Sequence, residues 1–197
     1  MNAEPASGPL SGDAALLAAY AAGDAAAARQ LMLRIAPRIH ALAVRMLRDR
    51  AEAEDVTQEA MLRLWKIAPD WRDMGAAPST WTYRVAANLC TDRLRRRARQ
   101  VPLEPEMEPE DGRPGSEARL QAAAREAALQ AALAELPERQ RLAVILRHLE
   151  DRANPEIAEI LGISVEAVES LTARGKRALA RALAGQREAL GLIDGTG

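Results

Sequence analysis

Hydrophobic residues recur at intervals of three and four along most of the chain, the spacing that places them on one face of an α-helix. In the first half this pattern predicts helices at about 13–22, through 31–46, and at about 52–68 and 80–98. Ser11 and Asp13 are suited to cap the first of these helices. Pro37 is expected to kink or split the second, because its ring removes a backbone donor and clashes with the preceding turn.

The helical pattern stops between Gln100 and Ser116, where four prolines and two glycines stand among five acidic residues. Prolines disfavour helix and like charges repel, so we expect an extended, solvated linker that either only tethers two domains or also imitates a phosphate chain. The pattern resumes with helices at about 117–135, after Leu136, at about 154–161 and from Val165. No stretch alternates with a period of two for long enough to predict a strand.

The predicted fold class is therefore all-α, with two small helical domains joined by an acidic proline-rich linker. A length of 197 residues is compatible with this division. The expected segments are a flexible N-terminus at 1–12, a first domain at 13–99, the linker at 100–116, a second domain at 117–185 and a C-terminal tail at 186–197.

The second domain contains the residue spacing typical of a helix-turn-helix. Small Ala158 lets a second helix approach, Gly162 tolerates a left-handed turn, and Val168 fills the angle between the helices. Ser164 is suited to cap the second helix, with Glu166 in its first turn. A plain helical hairpin, the alternative, does not require these residues at these intervals.

Two further helices show polar faces of different character. The helix after Val165 displays Ser170 and three arginines opposite its apolar side, a combination that can contact base edges and phosphates. The helix near Trp81 combines cations, an amide and an indole on one face, which suits stacking on unpaired bases. The alternative for each is a solvated charged face. The residues are Ser170, Arg174, Arg177 and Arg181 on the first helix, and Trp81, Arg84, Asn88, Thr91, Arg95 and Arg99 on the second.

The aromatic residues and the charge runs refine this interpretation. Four of the five aromatics, Trp65, Trp71, Trp81 and Tyr83, surround the loop at 69–79, and Trp65 is expected to pack in the core. Five arginines between positions 93 and 99 suggest a track for phosphates. The helix at 52–68 instead exposes an acidic face with one leucine, formed by Glu52, Asp55, Glu59 and Leu62, which indicates either a protein-docking patch or a solvated surface.

Composition narrows the classes of function. Hydrophobic residues make up 48% and charged residues 28% of the chain, and the longest apolar stretch near the start is shorter than the roughly 20 residues of a membrane span. No signal-peptide pattern precedes that stretch, so we expect a cytoplasmic protein without membrane insertion. One cysteine, Cys90, and two histidines give little material for a metal site. We expect no cofactor, no metal and no catalytic residues.

Three segments together resemble the extracytoplasmic-function group of bacterial RNA polymerase sigma factors. They are the run from Ala53 to Ala60, the run from Trp81 to Arg96, and Leu136 to Arg141 with the helix-turn-helix that follows. They occur in the order typical of the family, with a variable linker between them, and the similarity covers about residues 13–184.

The resemblance implies a role for each surface. The face with Glu52, Asp55, Gln58, Glu59 and Leu62 would dock on the clamp helices of the largest subunit of core RNA polymerase. The −10 promoter element would be recognised and melted by the first domain, where the loop at 70–79 captures a flipped base of the single strand. The residues expected to contact it are Trp71, Trp81, Arg84, Asn88, Thr91, Arg95 and Arg99.

The resemblance also implies that the second domain binds the polymerase flap and reads the duplex −35 element. The residues expected there are Ser164, Glu166, Ala167, Ser170, Arg174, Arg177 and Arg181. An anti-sigma factor is the expected regulatory partner. Glu169 and Leu171 stand where many members carry basic residues, and Gly175 is unusual inside this helix, where it either admits DNA or weakens the helix.

Two other classes of function compete with this interpretation. One is a freestanding helix-turn-helix regulator that binds duplex DNA as a dimer. This alternative does not explain the function of the aromatic loop or of the acidic patch. A nucleic-acid enzyme with a metal held by paired carboxylates has Asp70 and Asp73 as its nearest candidates, without further carboxylates or histidines to support them.

Overall fold

The computed structural model of the protein describes residues 12–71, 77–99 and 117–189. Within these ranges the chain forms eight α-helices and no strand, which confirms the predicted all-α fold. The expected linker at 100–116, residues 1–11 and residues 190–197 lie outside the described residues. The helices are α1 (Asp13–Ala21), α2 (Ala25–Leu47), α3 (Arg50–Ile67), α4 (Pro78–Arg99), α5 (Glu117–Ala134), α6 (Glu138–Val144), α7 (Asn154–Leu161) and α8 (Val165–Ala189).

One expectation about the first helix was wrong, and one of the two alternatives for the second is excluded. Asp13 lies in the first turn of α1 rather than at its cap, a position that Gly12 occupies without a side-chain bond. Helix α2 is not split at Pro37 and runs unbroken to Leu47. Pro37 is tolerated because it is exposed, as is Leu33 one turn earlier, so the carbonyl that loses its partner lies on the hydrated side of the helix.

Several helix boundaries lie outside the expected ranges for identifiable reasons. Helix α3 begins at Arg50 because the Asp49 carboxylate accepts the backbone N–H of Glu52 at 2.9 Å, and α4 begins with Pro78, which needs no partner at the first helical position. Helix α8 continues past position 185 to Ala189, so its last turn includes part of the expected tail.

The apolar faces predicted from periodicity build the core. In the first domain Val56, Ala60 and Leu64 of α3 are completely buried against α2 and α4. In the second, α6 is followed by one π-helical turn over Ile145–Leu149, and its buried residues pack beside α7 and α8. The two sets of buried side chains are continuous, because α4 of the first domain packs against α7 of the second.

Candidate nucleic-acid and protein interfaces

The acidic face of α3 is largely exposed. Asp55 and Gln58 lie in solvent, and Leu62 is 58% exposed. Glu59 is partly exposed and pairs with Arg63 one turn later, so this patch contains a cation as well as acids. Glu52 differs, because its carboxylate lies 2.9 Å from the guanidinium of Arg97 on α4 and thereby joins two helices.

A largely apolar groove of about 720 Å³ lies beside this face, between α2 and α3. Met32 and Leu33 line it from α2 and are 47% and 69% exposed, an unusual level for large apolar side chains. Sequence reasoning missed both residues. The signal that could have identified them is their position directly after Leu31, off the buried stripe of α2, where helical periodicity requires no apolar residue.

Trp65 has two environments. Its ring packs on that of Tyr20, with centroids 4.7 Å apart, and it contacts the core as expected. It is nevertheless only partly buried and also lines the groove. Its indole therefore contributes to both the core and the exposed apolar surface.

The polar face predicted on α4 is present. Asn88, Arg95 and Arg99 are exposed and Thr91 is half-buried. Trp81 meets Trp71 edge to face, with ring centroids 6.1 Å apart, which fixes both indoles at the start of the helix. Residues 72–76 of the loop expected to capture a base lie outside the described residues.

One arginine of the basic run, Arg97, is exposed but bound to acceptors of its own domain. The guanidinium of Arg97 donates to the Asp49 carboxylate at 2.9 Å and to the Leu47 carbonyl at 3.0 Å, and it also pairs with Glu52. Three acceptors from the α2–α3 junction therefore occupy its donors. The continuous track expected from positions 93–99 is interrupted at this position.

The helix-turn-helix has the geometry that its sequence predicts. Gly162 adopts the left-handed conformation with φ of 63°, and Val168 is completely buried between the helices. The Ser164 hydroxyl accepts the backbone N–H of Ala167 at 3.2 Å, so this side chain caps α8. Hydrogen bonds from its own backbone amide and from Ser164 lower the pKa of Glu166.

The outer face of α8 is open to solvent. Ser170, Arg174, Arg177 and Arg181 are all exposed, while Ala167 is half-buried. The Nε of Arg174 donates to the Ser170 carbonyl at 3.2 Å, which orients the guanidinium along the helix and leaves its terminal nitrogens for other partners. Of the two unusual residues, Glu169 is exposed on this surface and Leu171 is half-buried.

Gly175 does not belong to the outer face. It is buried, and a Cβ atom at this position would lie 2.6 Å from Cγ2 of Val144 and 3.1 Å from the carbonyl oxygen of Gln140. The glycine therefore permits α6 and α8 to approach closely. The expectation that it admits DNA was wrong, because its environment is the packed interior of the second domain.

No group of three or more metal-ligating side chains occurs among residues 12–71, 77–99 and 117–189. Asp73, one of the paired carboxylates considered above, lies outside these ranges. Cys90 is completely buried, and this burial raises the pKa of its thiol to about 12. Across the same part of the chain, no helix is long and apolar enough to cross a membrane.

Comparison with known proteins identifies two family modules in this chain. Residues 31–100 match Sigma-70 region 2, and residues 126–179 match Sigma-70, region 4. The ECF RNA polymerase sigma factor SigM of Mycobacterium tuberculosis is 38% identical over 171 residues, covering 87% of this chain and 84% of that protein. The ECF RNA polymerase sigma factor SigW of Bacillus subtilis is 31% identical over 156 residues, covering 74% and 83%.

Two solved structures share the fold. CnrH, in complex with the cytosolic domain of CnrY, superposes with a TM-score of 0.66 at 24% identity, covering 88% of this chain and 97% of CnrH. RpoE of Bartonella quintana, in complex with the anti-sigma factor NepR, gives a TM-score of 0.62 at 21% identity, covering 79% and 95%.

Proposed function

Since the chain belongs to the extracytoplasmic-function group of RNA polymerase sigma factors, we propose that it divides promoter recognition between its two helical domains. As a sigma factor it binds core RNA polymerase and directs transcription initiation at specific promoters. We assign residues 13–99 to polymerase docking and the −10 element, and the domain that begins at residue 117 to the −35 element and the polymerase flap.

The observation that carries this assignment is the presence of three different surfaces on one chain. An acidic patch beside an exposed apolar groove suits a protein partner, and the clamp helices of the largest polymerase subunit are the proposed one. The α4 face combines indoles, an amide and arginines, which suits unpaired bases and their phosphates. The exposed arginines of α8 follow a helix-turn-helix, which suits the major groove of a duplex.

The proposed role contains no chemical step for this chain. The protein is a transcription regulator, and we assign it no catalytic residues, metal or cofactor. We place it in the cytoplasm, where it would act with polymerase. An anti-sigma factor is the proposed inhibitor, supported by the structural similarity to RpoE, which was solved bound to one.

Mapping of transcript ends tests the proposal. Purified core polymerase would be incubated with the protein and sheared genomic DNA of its source, and the 5′ ends of the transcripts would be sequenced. We expect discrete start sites that depend on the protein and share two sequence elements upstream. A freestanding helix-turn-helix regulator would bind DNA fragments yet yield no protein-dependent start sites.

A further inference from the structure

A polar cavity of about 510 Å³ lies where α1, α2 and α4 meet the second domain. Its volume is within the range of sites that bind small molecules. The proposed function assigns no task to this cavity. The polar residues that line it are Asp13, Arg34, Arg38, Ser79, Tyr83 and Arg152.

Three arginines give the cavity a positive lining. Arg34 and Arg38 lie one turn apart on α2 and therefore share one face of that helix, whereas Arg152 belongs to the second domain. Asp13 is the one carboxylate among the described residues of the lining, and it lies 3.6 Å from Arg34. Three positive charges thus face one negative charge, a balance that favours an anion.

Two of these arginines have donors for which the described residues supply no acceptor. Arg38 makes no side-chain hydrogen bond or ion pair within the described part of the chain. Arg152 is only 12% exposed and donates from Nη1 to Glu156 at 3.2 Å, but its Nε is buried and has no acceptor there. A buried donor without an acceptor costs free energy, and an anion in the cavity would supply the acceptor.

The Tyr83 ring holds Arg152 at the wall of the cavity. The guanidinium carbon lies 4.4 Å from the ring centroid, within the range of a cation–π contact. Tyr83 is itself completely buried, so the ring is a rigid support. The position of the Arg152 guanidinium is therefore determined before any ligand arrives.

The first turn of α4 adds further donors. Ser79 lines the cavity and is the second residue of this 22-residue helix, directly after Pro78. Backbone N–H groups of a first turn lack partners within the helix, and the helix dipole places partial positive charge there. Helix N-termini and arginines are the groups with which proteins commonly bind phosphate.

From this arrangement we propose that the cavity binds a small phosphorylated ligand between Arg38, Arg152 and the first turn of α4. Arginine binds phosphoryl oxygens with two parallel hydrogen bonds, and here two guanidiniums lie on different elements around one space. Since the cations come from both domains, ligand binding is linked to the contact between them. This inference goes beyond the proposed function and does not rest on it.

The phosphates of a DNA strand have the same chemistry as those of a small ligand. The cavity has walls from α1, α2, α4 and the second domain, and Asp13 contributes a negative charge to one of them. Such a space suits a compact ligand better than a continuous strand, which needs an open groove along its backbone. We therefore assign the cavity to a small ligand and include DNA as a competitor in the test.

Isothermal titration calorimetry of the full chain at fixed ionic strength tests the site, with pyrophosphate and inorganic phosphate as probes. Pyrophosphate should bind more tightly, because it carries two phosphoryl groups. Arg38→Gln should weaken pyrophosphate binding about tenfold, since it removes charge-assisted hydrogen bonds. Arg29→Gln is the matched control and should keep the wild-type affinity, because Arg29 is an exposed arginine of the same helix that does not line the cavity.

Asp13→Asn tests the same site in the opposite direction. This change removes the carboxylate from the lining and frees Arg34 from its ion pair, so pyrophosphate should bind about threefold more tightly. Attraction to positive surface charge in general would instead weaken Arg29→Gln and Arg38→Gln alike. Circular dichroism establishes that each variant is folded, and its thermal midpoint should rise with pyrophosphate in the wild type.

Competition with DNA distinguishes the two sources of phosphate. A single strand of twelve thymidines should leave pyrophosphate binding to the wild type unchanged. Displacement of pyrophosphate by this strand would reassign the cavity to the DNA backbone and overturn the small-ligand site. Equal pyrophosphate affinity of folded Arg38→Gln and Arg29→Gln would also overturn it, as would a wild type that shows neither binding heat nor a higher thermal midpoint with either probe.

Discussion

Gly175 has the clearest consequence at the scale of a single residue. A methyl group at this position would overlap Cγ2 of Val144, so Gly175→Ala should force α6 and α8 apart. Overpacking costs about 1–3 kcal/mol, whereas alanine gains up to about 1 kcal/mol over glycine in helix propensity. We expect the free energy of unfolding to fall by about 1–2 kcal/mol, measured by urea denaturation.

The control for this prediction separates the steric clash with Val144 from the difference in helix propensity between glycine and alanine. Ala180→Gly on the exposed side of α8 reports the propensity difference alone, at about 1 kcal/mol. Combining Gly175→Ala with Val144→Ala removes the clashing methyl groups and should recover part of the loss that the first change causes. Equal stability of Gly175→Ala and wild type would contradict the close approach of the two helices.

The docking surface gives a second prediction at this scale. Reversing Asp55 and Glu59 to arginine should abolish binding to core polymerase, because both lie on the outer side of α3 beside the apolar groove. The core of α3 is untouched, so the helical content should not change. Fluorescence competition for core polymerase measures the affinity. Asp92→Arg, at an exposed position of α4, is the control that changes the charge outside the docking surface. Wild-type affinity in the folded double variant would exclude this docking site.

Residues with a local role could be predicted from the sequence, and residues whose role depends on distant parts of the chain could not. Ser164, Gly162 and Val168 could be assigned because each performs a local task within one turn of the chain. Gly175 could not, since its role depends on Val144 and Gln140, which are more than thirty positions away. The partners of Arg97 could not be predicted for the same reason, because its acceptors come from the α2–α3 junction.

At the scale of helices, α4 and α8 are expected to act on different parts of a promoter. Arg174→Ala should weaken binding to the −35 element by about 1–3 kcal/mol if the guanidinium contacts a base edge with two hydrogen bonds. Electrophoretic mobility shifts of the holoenzyme on promoters with and without that element measure this difference. Arg177→Ala on the same exposed face should weaken both promoters alike if it contacts phosphate. An equal loss with Arg174→Ala on both promoters would contradict base recognition by this residue.

Helices themselves were largely predictable because their apolar stripes are long and regular. The structure deviates from the predicted helices where a single residue, rather than the apolar periodicity, determines whether a helix continues or where it begins. Pro37 remains inside α2 because it faces solvent, and α4 begins early because Pro78 is acceptable at the first position. The exposed groove residues Met32 and Leu33 were missed. Helical periodicity identifies the buried face of α2, but it does not predict the role of apolar residues outside that face.

At the scale of the whole molecule, packing between the domains is the feature that the sequence did not predict. The contacts join residues that are 67 to 105 positions apart, such as Tyr83 with Glu150 and Arg45 with Glu150. No local pattern marks Arg45 or Glu150 as a contact between the domains. With these contacts made, the acidic face of α3 remains exposed, while Arg84 on α4 donates to the Glu159 carbonyl.

The central claim is that this chain both selects a promoter and opens it through α4. Permanganate reactivity of thymines on the non-template strand tests it most directly, at a promoter found by transcript mapping, with core polymerase and the wild-type chain or variants. We predict reactive thymines near the −10 element with wild type and with Arg177→Ala at low salt, and strongly reduced reactivity with Trp81→Ala or Asn88→Ala despite retained polymerase binding. Full thymine reactivity in both α4 variants, or none with the wild type, would contradict the account.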